Sequence, residues 1–202
     1  MKTKKKALPQ ISTAKKLTES ALLIALASVL GIYAVYKLPN GGSVTVGSMI
    51  PIMLVSLKYP FRWSATVAFA YSLIQMISGF YAPPVETMGY YLLMVLLDYV
   101  VAFGVLCLVG PFYRSFSHNL PIRLRLTAAA VLCFILRFLC HFLSGVIIWG
   151  AYAPPDQPVW LYSLVYNGSF MLGEGLISGL ILLAAGEKLV KLFLDNEVGR
   201  TG

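Results

Sequence analysis

Long apolar runs separated by short polar breaks dominate this chain. The first 16 residues are polar and basic, with Lys2, Lys4, Lys5, Lys6, Lys15 and Lys16 and no acid. Six apolar runs follow, at Leu17–Tyr36, Gly47–Tyr59, Trp63–Phe80, Met88–Phe112, Leu124–Gly150 and Val159–Ala185. The breaks fall on turn chemistry: Pro39-Asn40-Gly41-Gly42, Pro60, Pro83-Pro84 and Pro154-Pro155. A helix crosses the roughly 30 Å hydrocarbon core of a bilayer with about 20 residues. The runs therefore predict an all-α integral membrane protein with six transmembrane helices, the second of them short for a full span. The expected organisation is a basic segment over 1–16, a six-helix transmembrane domain over 17–187 and a tail over 188–202. There is no internal repeat. Buried helices of a soluble protein are a poor alternative, because too few polar faces exist to cover such a bundle.

Composition reinforces this reading. Of 202 residues, 58% are hydrophobic and 12% are charged, against about 25% charged in ordinary soluble domains, and mean hydropathy is +0.78. A soluble globular domain and a disordered chain are both excluded. The first apolar run is full length and no clear A-x-A site follows it, so it is expected to stay as a helix and not to be removed as a signal peptide. The net charge is +8. With the N-terminus placed inside, every cation except Lys37 and Arg137 falls on an inner loop or end, as the positive-inside rule requires. An even number of spans with both termini cytoplasmic explains that split. The charge is then a topology signal spread around an inner rim, and nucleic-acid binding is disfavoured. Cys107, Cys133 and Cys140 lie in apolar runs without metal-ligand spacing, so a disulfide framework or a metal site is not expected.

Ionisable groups at membrane depth are costly and mark function. At about 1.5 Å per residue, Asp98 lies about 15 Å from the outer end of its helix, His141 about 13 Å and Asn167 about 12 Å. Three polar residues on three helices share one depth in the outer half, framed by Tyr99, Trp149, Tyr162 and Tyr166. Such a set suits a flat, partly cationic heteroaromatic ligand: a carboxylate for charge, an amide for directed hydrogen bonds and ring faces for stacking and cation–π attraction. Structural alternatives stand beside this. Asp98 could pair with His141 or Arg137 to hold helices together. Asn167 could be interhelical glue, and Trp149 and Tyr162 interfacial belt aromatics. Arg137 and Glu174 lie deeper, about 19 and 22 Å from the outer surface, and read as a structural ion pair or as separately paired groups rather than ligand contacts. On the first helix Ala21 and Ala25, and then Ala27 and Gly31, are small residues four apart. They permit close helix approach, either inside the bundle or to a partner membrane protein.

Several segments then resemble a known family. Gly41-Gly42-Ser43-Val44-Thr45-Val46-Gly47-Ser48-Met49-Ile50-Pro51 looks like the first-loop and second-helix signature of the thiamine-specific substrate-binding (S) components of energy-coupling factor (ECF) transporters. Leu97-Asp98-Tyr99-Val100-Val101-Ala102-Phe103-Gly104 is similar to the family's fourth-helix motif. Arg137-Phe138, His141-Phe142-Leu143-Ser144-Gly145 to Trp149, and Tyr162-Ser163-Leu164-Val165-Tyr166-Asn167-Gly168 resemble those of helices five and six. The resemblance runs from about Leu17 to Ala185. It implies the S-component fold and a thiamine site near the outer surface. In that site Asp98 stands for the family's acid, Tyr99 for the tyrosine after it and His141 for the imidazole. Gly145 is the close-approach glycine, Trp149 the stacking tryptophan, and Tyr162 and Asn167 the sixth-helix pair. Ala21 and Ala25 match the family's A-x-x-x-A docking motif. Two departures matter. Some members carry Glu where Asp98 stands, and a first-loop tryptophan of one branch has no counterpart between Lys37 and Val46, which leaves Tyr36 as the candidate lid.

The resemblance implies a bacterial cell-membrane subunit that captures thiamine from outside. It would work with an ECF coupling transmembrane subunit and two ATPase subunits. The chain holds no GxxxxGK[ST] phosphate loop, so it is expected to be no enzyme and to need no cofactor. Three other readings stay open: an S component for another vitamin or a thiamine precursor, a small membrane enzyme using Asp98 and His141 as an acid–base pair, and an ion-coupled carrier, which the lack of an inverted repeat disfavours.

Overall fold

A computed structural model describes residues 11–85 and 87–195. Lys2, Lys4, Lys5, Lys6 and Arg200 lie outside the described residues. Six helices form the bundle: α1 (Thr13–Ile32), α2 (Ile50–Lys58), α3 (Phe61–Gly79), α4 (Met88–Ser115), α5 (Ile122–Ile147) and α6 (Val159–Asp195). Of these, α4, α5 and α6 are long and apolar enough to cross a membrane by length and composition. Large apolar side chains such as Leu22, Leu26 and Val29 on α1, Ile77 on α3, and Leu172, Leu176 and Leu180 on α6 face outward. In water such a surface would be an aggregation hazard; in lipid it is the ordinary exterior. The chain is a multi-pass membrane protein.

Several boundaries differ from the sequence reading, and four of the differences shape the site or the ends of the bundle. The first helix stops at Ile32 and not at Tyr36. Ala34–Lys37 forms a strand, β1, paired antiparallel with β2 (Ser43–Thr45), with Tyr36 opposite Val44. The turn between the strands uses Gly41 and Gly42 at φ 88° and 85°, a conformation that favours glycine. Second, α2 has only nine residues, about 14 Å of rise, and cannot span. Every residue from Ile50 to Leu57 is buried, as expected of a helix that is apolar all round. Third, α5 ends at Ile147, and Trp149 stands on a separate 3-10 turn, Trp149–Tyr152. Fourth, α6 continues to Asp195, ten residues past the end of the apolar run. There Glu187 accepts from Lys191 at 2.7 Å, one turn on.

The fourth helix is one rod with uneven winding. It is π-helical over Val95–Val101 and 3-10 over Val105–Leu108. Asp98 and Tyr99 sit inside the π segment. Such segments occur mostly as short bulges at functional sites.

Polar contacts gather the inner-rim cations at one end of the bundle. Lys58, at the end of α2, donates to Glu19 on α1 at 2.8 Å and stands 4.6 Å over the Phe193 ring of α6. Tyr59 also donates to Glu19. Arg114, at the end of α4, donates to the Leu57 carbonyl at 3.4 Å, and Arg125 of α5 donates to the Tyr113 carbonyl at 3.1 Å. The hairpin and the Trp149 turn lie at the opposite end. Because α2 is short, the segment before it must descend from that far end into the bundle.

Candidate functional site

The segment before α2 leaves a cavity of about 500 Å³ between the hairpin and helices α3 to α6, within the usual size range of small-molecule sites. Its wall includes all seven expected ligand residues: Asp98, Tyr99, His141, Gly145, Trp149, Tyr162 and Asn167. Residues 69 positions apart in sequence thus meet around one space.

Asp98 is the hub. The π segment turns its carboxylate toward α5. His141 Nδ1 lies 2.9 Å from Oδ1, Ser144 Oγ donates to Oδ2 at 2.6 Å, and Trp149 Nε1 donates to the same oxygen at 3.0 Å. A carboxylate only accepts, so Nδ1 carries the proton and Nε2 is left as an acceptor. That Nε2 is buried and has no hydrogen-bond partner among the described residues. Buried polar atoms are nearly always satisfied, so an orphan in a cavity wall points to a ligand donor. The carboxylate can take about four hydrogen bonds, and three are present, which leaves room for one more. The structural alternative for Asp98, pairing with His141, is therefore present, and it leaves one acceptor position of the carboxylate open to the cavity.

Each remaining residue has a definite place. Gly145 lies where α5 meets α6: a Cβ there would sit 2.1 Å from Ser163 Oγ and 2.8 Å from Asn167 Nδ2. Asn167 spends its Nδ2 on the Ser163 carbonyl and hydroxyl at 3.0 and 3.1 Å, and its amide oxygen accepts no hydrogen bond among the described residues. The Tyr99 hydroxyl donates to the Gly79 carbonyl at 3.2 Å, and its ring stacks on Phe80. The Trp149 ring stacks on Tyr152, with centroids 6.0 Å apart, while His141 meets Phe170 edge-on at 5.5 Å. Tyr162 tilts against Tyr166.

Tyr36, the candidate lid, is outside the cavity wall; it is half exposed on β1, opposite Val44. Two other tyrosines hold the rim instead. Tyr166 Oη accepts from the Asn40 amide at 3.0 Å and donates to the Gly41 carbonyl at 2.8 Å, and Tyr81 Oη donates to the Pro39 carbonyl at 2.7 Å. Tyr81 also lies 6.2 Å from Trp149. Reading the sequence placed Tyr166 only as a frame and missed Tyr81, because neither carries a charge and both contact backbone from a distant loop. Gln75, a lone amide in the apolar run of α3, was a usable signal and also lines the cavity.

The deeper charges behave differently from a simple ion pair. No salt bridge within 4.0 Å joins Arg137 to Glu174 among the described residues; of the two arrangements expected, separate pairing is the one seen. Arg137 lies 3.8 Å over the Phe103 ring and donates to Met49 Sδ at 3.4 Å, with Nε unpartnered. Glu174 accepts from Thr45. Both line the inner end of the cavity, so they are part of its wall rather than remote from it. Ala21 and Ala25 are exposed on α1, whereas Ala27 is buried.

Comparison with known proteins bears on the family and the fold. The sequence model of the family described as Thiamine transporter protein (Thia_YuaJ) matches residues 17–194. A relative named Thiamine transporter ThiT, from Bacillus subtilis (strain 168), is 31% identical over 177 residues, covering 83% of this chain and 88% of the relative. Another protein of that name, from Lacticaseibacillus paracasei, is 27% identical over 135 residues, covering 61% and 63%. A solved structure of ThiT from Listeria monocytogenes superposes with a TM-score of 0.69 at 24% identity, over 88% of this chain and 96% of that one, and shares the fold. With the family match spanning nearly every described residue, the chain belongs to the thiamine transporter (Thia_YuaJ) family.

Proposed function

We propose that this chain is the membrane-embedded S component of an ECF transporter and captures thiamine from outside the cell. The observation that carries this reading is the Asp98 hub: one carboxylate, tied to His141, Ser144 and Trp149, in the wall of a cavity large enough for a vitamin. Thiamine pairs a cationic thiazolium ring with an aminopyrimidine. Asp98 balances the cation and accepts from the amine, and the orphan His141 Nε2 and the Asn167 amide oxygen offer further acceptors. Trp149 and the tyrosines supply ring faces, each cation–π contact contributing about 0.5–2 kcal/mol depending on desolvation. Ligand capture needs no covalent step, and none is assigned to this chain.

The rest of the assignment follows from the family and the charge pattern. α1 starts and α6 ends at the cationic end of the bundle, so that end is assigned to the cytoplasm and the cavity end to the outer side of the cell membrane. ATP hydrolysis falls to two partner ATPases, linked through a coupling transmembrane subunit that packs on the exposed Ala21 and Ala25 stripe. Titration of the purified protein with thiamine, followed by tryptophan fluorescence and calorimetry, tests the core of this. Saturable quenching with heat is expected; no signal in either would refute thiamine. Competition with free pyrimidine and thiazole fragments separates a precursor transporter from one for the whole vitamin.

A further inference from the structure

Glu174 has no exposed surface, and it sits 15 residues into α6, about 22 Å from that helix's outer end. A carboxylate at that depth is expensive and is retained only with dedicated partners. Its partners are both on one residue of the descending segment. Thr45 N donates to Oε2 at 2.5 Å and Thr45 Oγ1 donates to Oε1 at 2.7 Å. Thr45 Oγ1 is in turn 2.8 Å from Ser48 Oγ and accepts from the Ser48 amide at 3.2 Å.

The surrounding contacts show why this spot needs an anchor. Non-helical backbone at membrane depth survives only where it is buried in protein or lines a cavity with its polar groups satisfied. The stretch from Gly42 to Met49 does both. It lies along α6 residue by residue: a Cβ on Gly42 would meet the Phe170 ring at 2.8 Å, and a Cβ on Gly173 would meet Val44 at 2.9 Å. The next step of this register is Thr45 against Glu174. The same stretch gives the cavity Gly42, Ser43, Thr45, Ser48 and Met49 as one wall. Any slack in it changes the shape of the binding space.

We infer that Glu174 is a positioning residue for ligand capture: by gripping Thr45 through two hydrogen bonds it holds the Gly42–Met49 wall of the cavity in its binding shape, without touching the ligand itself. Arg137 steadies the other end of the wall through Met49, so the two buried charges serve one segment from two helices. This rests on the proposed thiamine site, and the tests below separate the two ideas.

Three variants and two readouts decide it. Glu174→Ala removes both acceptors and is expected to speed thiamine release about tenfold or more, with the loss mainly in the dissociation rate. Glu174→Gln can still accept from the Thr45 amide and donate to its hydroxyl, so it recovers most of that loss. Thr45→Val keeps the amide bond to Glu174 but removes the hydroxyl's bonds to Glu174 and to Ser48, so it falls between, and combining it with Glu174→Ala costs less than the sum of the two single losses. Independently of any ligand, a nitroxide on Val46→Cys, a half-exposed neighbour, becomes more mobile with Glu174→Ala. A lower melting temperature with unchanged release rate and label mobility would make Glu174 a scaffold residue only and overturn the inference, as would Glu174→Gln performing no better than Glu174→Ala. If the wild type bound no thiamine, the functional reading would fall, and label mobility alone would decide: a rise supports the anchor, and no change overturns it.

Discussion

Asp98 accepts three hydrogen bonds at membrane depth, and such charge-assisted bonds contribute about 1.5–3 kcal/mol each. Asp98→Asn keeps the size, loses the charge and forces an amide N–H toward one of three donors. Thiamine affinity is expected to fall by at least about tenfold, and a neutral thiamine analogue by clearly less, as measured by calorimetry; equal losses for both would refute the counter-ion role. At the α5–α6 contact, Gly145→Ala would place a methyl 2.1 Å from Ser163 Oγ. Overpacking of this kind costs about 1–3 kcal/mol. A lower melting temperature and weaker thiamine binding together are expected, since Asn167 is displaced by the same methyl. The residue types of this site were legible in the chain: few polar groups lie in the apolar runs, and equal depth picks out Asp98, His141 and Asn167. Their bonding was not. Whether Asp98 touches His141 depends on helix rotation, which a count of residues along one helix does not determine.

At the level of elements, the π segment of α4 sets the direction of Asp98. Deleting one residue, Val101, would let the segment relax to α-helical winding and re-aim the Asp98 carboxylate within the segment. Loss of thiamine binding is expected with helix content by circular dichroism nearly unchanged; retained binding would show that the winding is incidental. Helix existence was legible from apolar run length, because a bilayer demands it. The shortness of α2 was legible in its brief run; two features were hidden, the strand at Ala34–Lys37 and the winding of α4. An unbroken apolar run reads the same whether it winds as α, π or 3-10. Tyr36 was misplaced for the related reason that β-branched and aromatic residues continue an apolar helix as well as they form a strand.

For the whole molecule, the proposed capture site and the proposed docking stripe occupy different surfaces. The cavity opens between the hairpin and the helix ends beside it, while Ala21 and Ala25 lie exposed midway along α1, outside the cavity wall. Ala25→Trp is therefore expected to abolish thiamine uptake in cells that carry the partner subunits while leaving binding by the isolated chain unchanged; loss of both would place Ala25 in the bundle's own packing. Ligand binding also stabilises the folded state by mass action, by about 2.7 kcal/mol at a hundredfold excess over Kd. Saturating thiamine should raise the melting temperature of the wild type, and of Asp98→Asn much less.

The sequence alone determined that the chain lives in a membrane, which of its ends carries the cations, and which few polar residues lie at membrane depth. These follow from hydropathy and charge, which are properties of residues one at a time. Only the tertiary structure decided that the first loop turns inward and is gripped by Glu174, that Arg137 and Glu174 hold a wall instead of each other, and that Tyr81 and Tyr166 close the rim. Those outcomes depend on helix rotation and on backbone satisfied far along the chain, and packing in three dimensions selects among arrangements that the order of residues leaves equal.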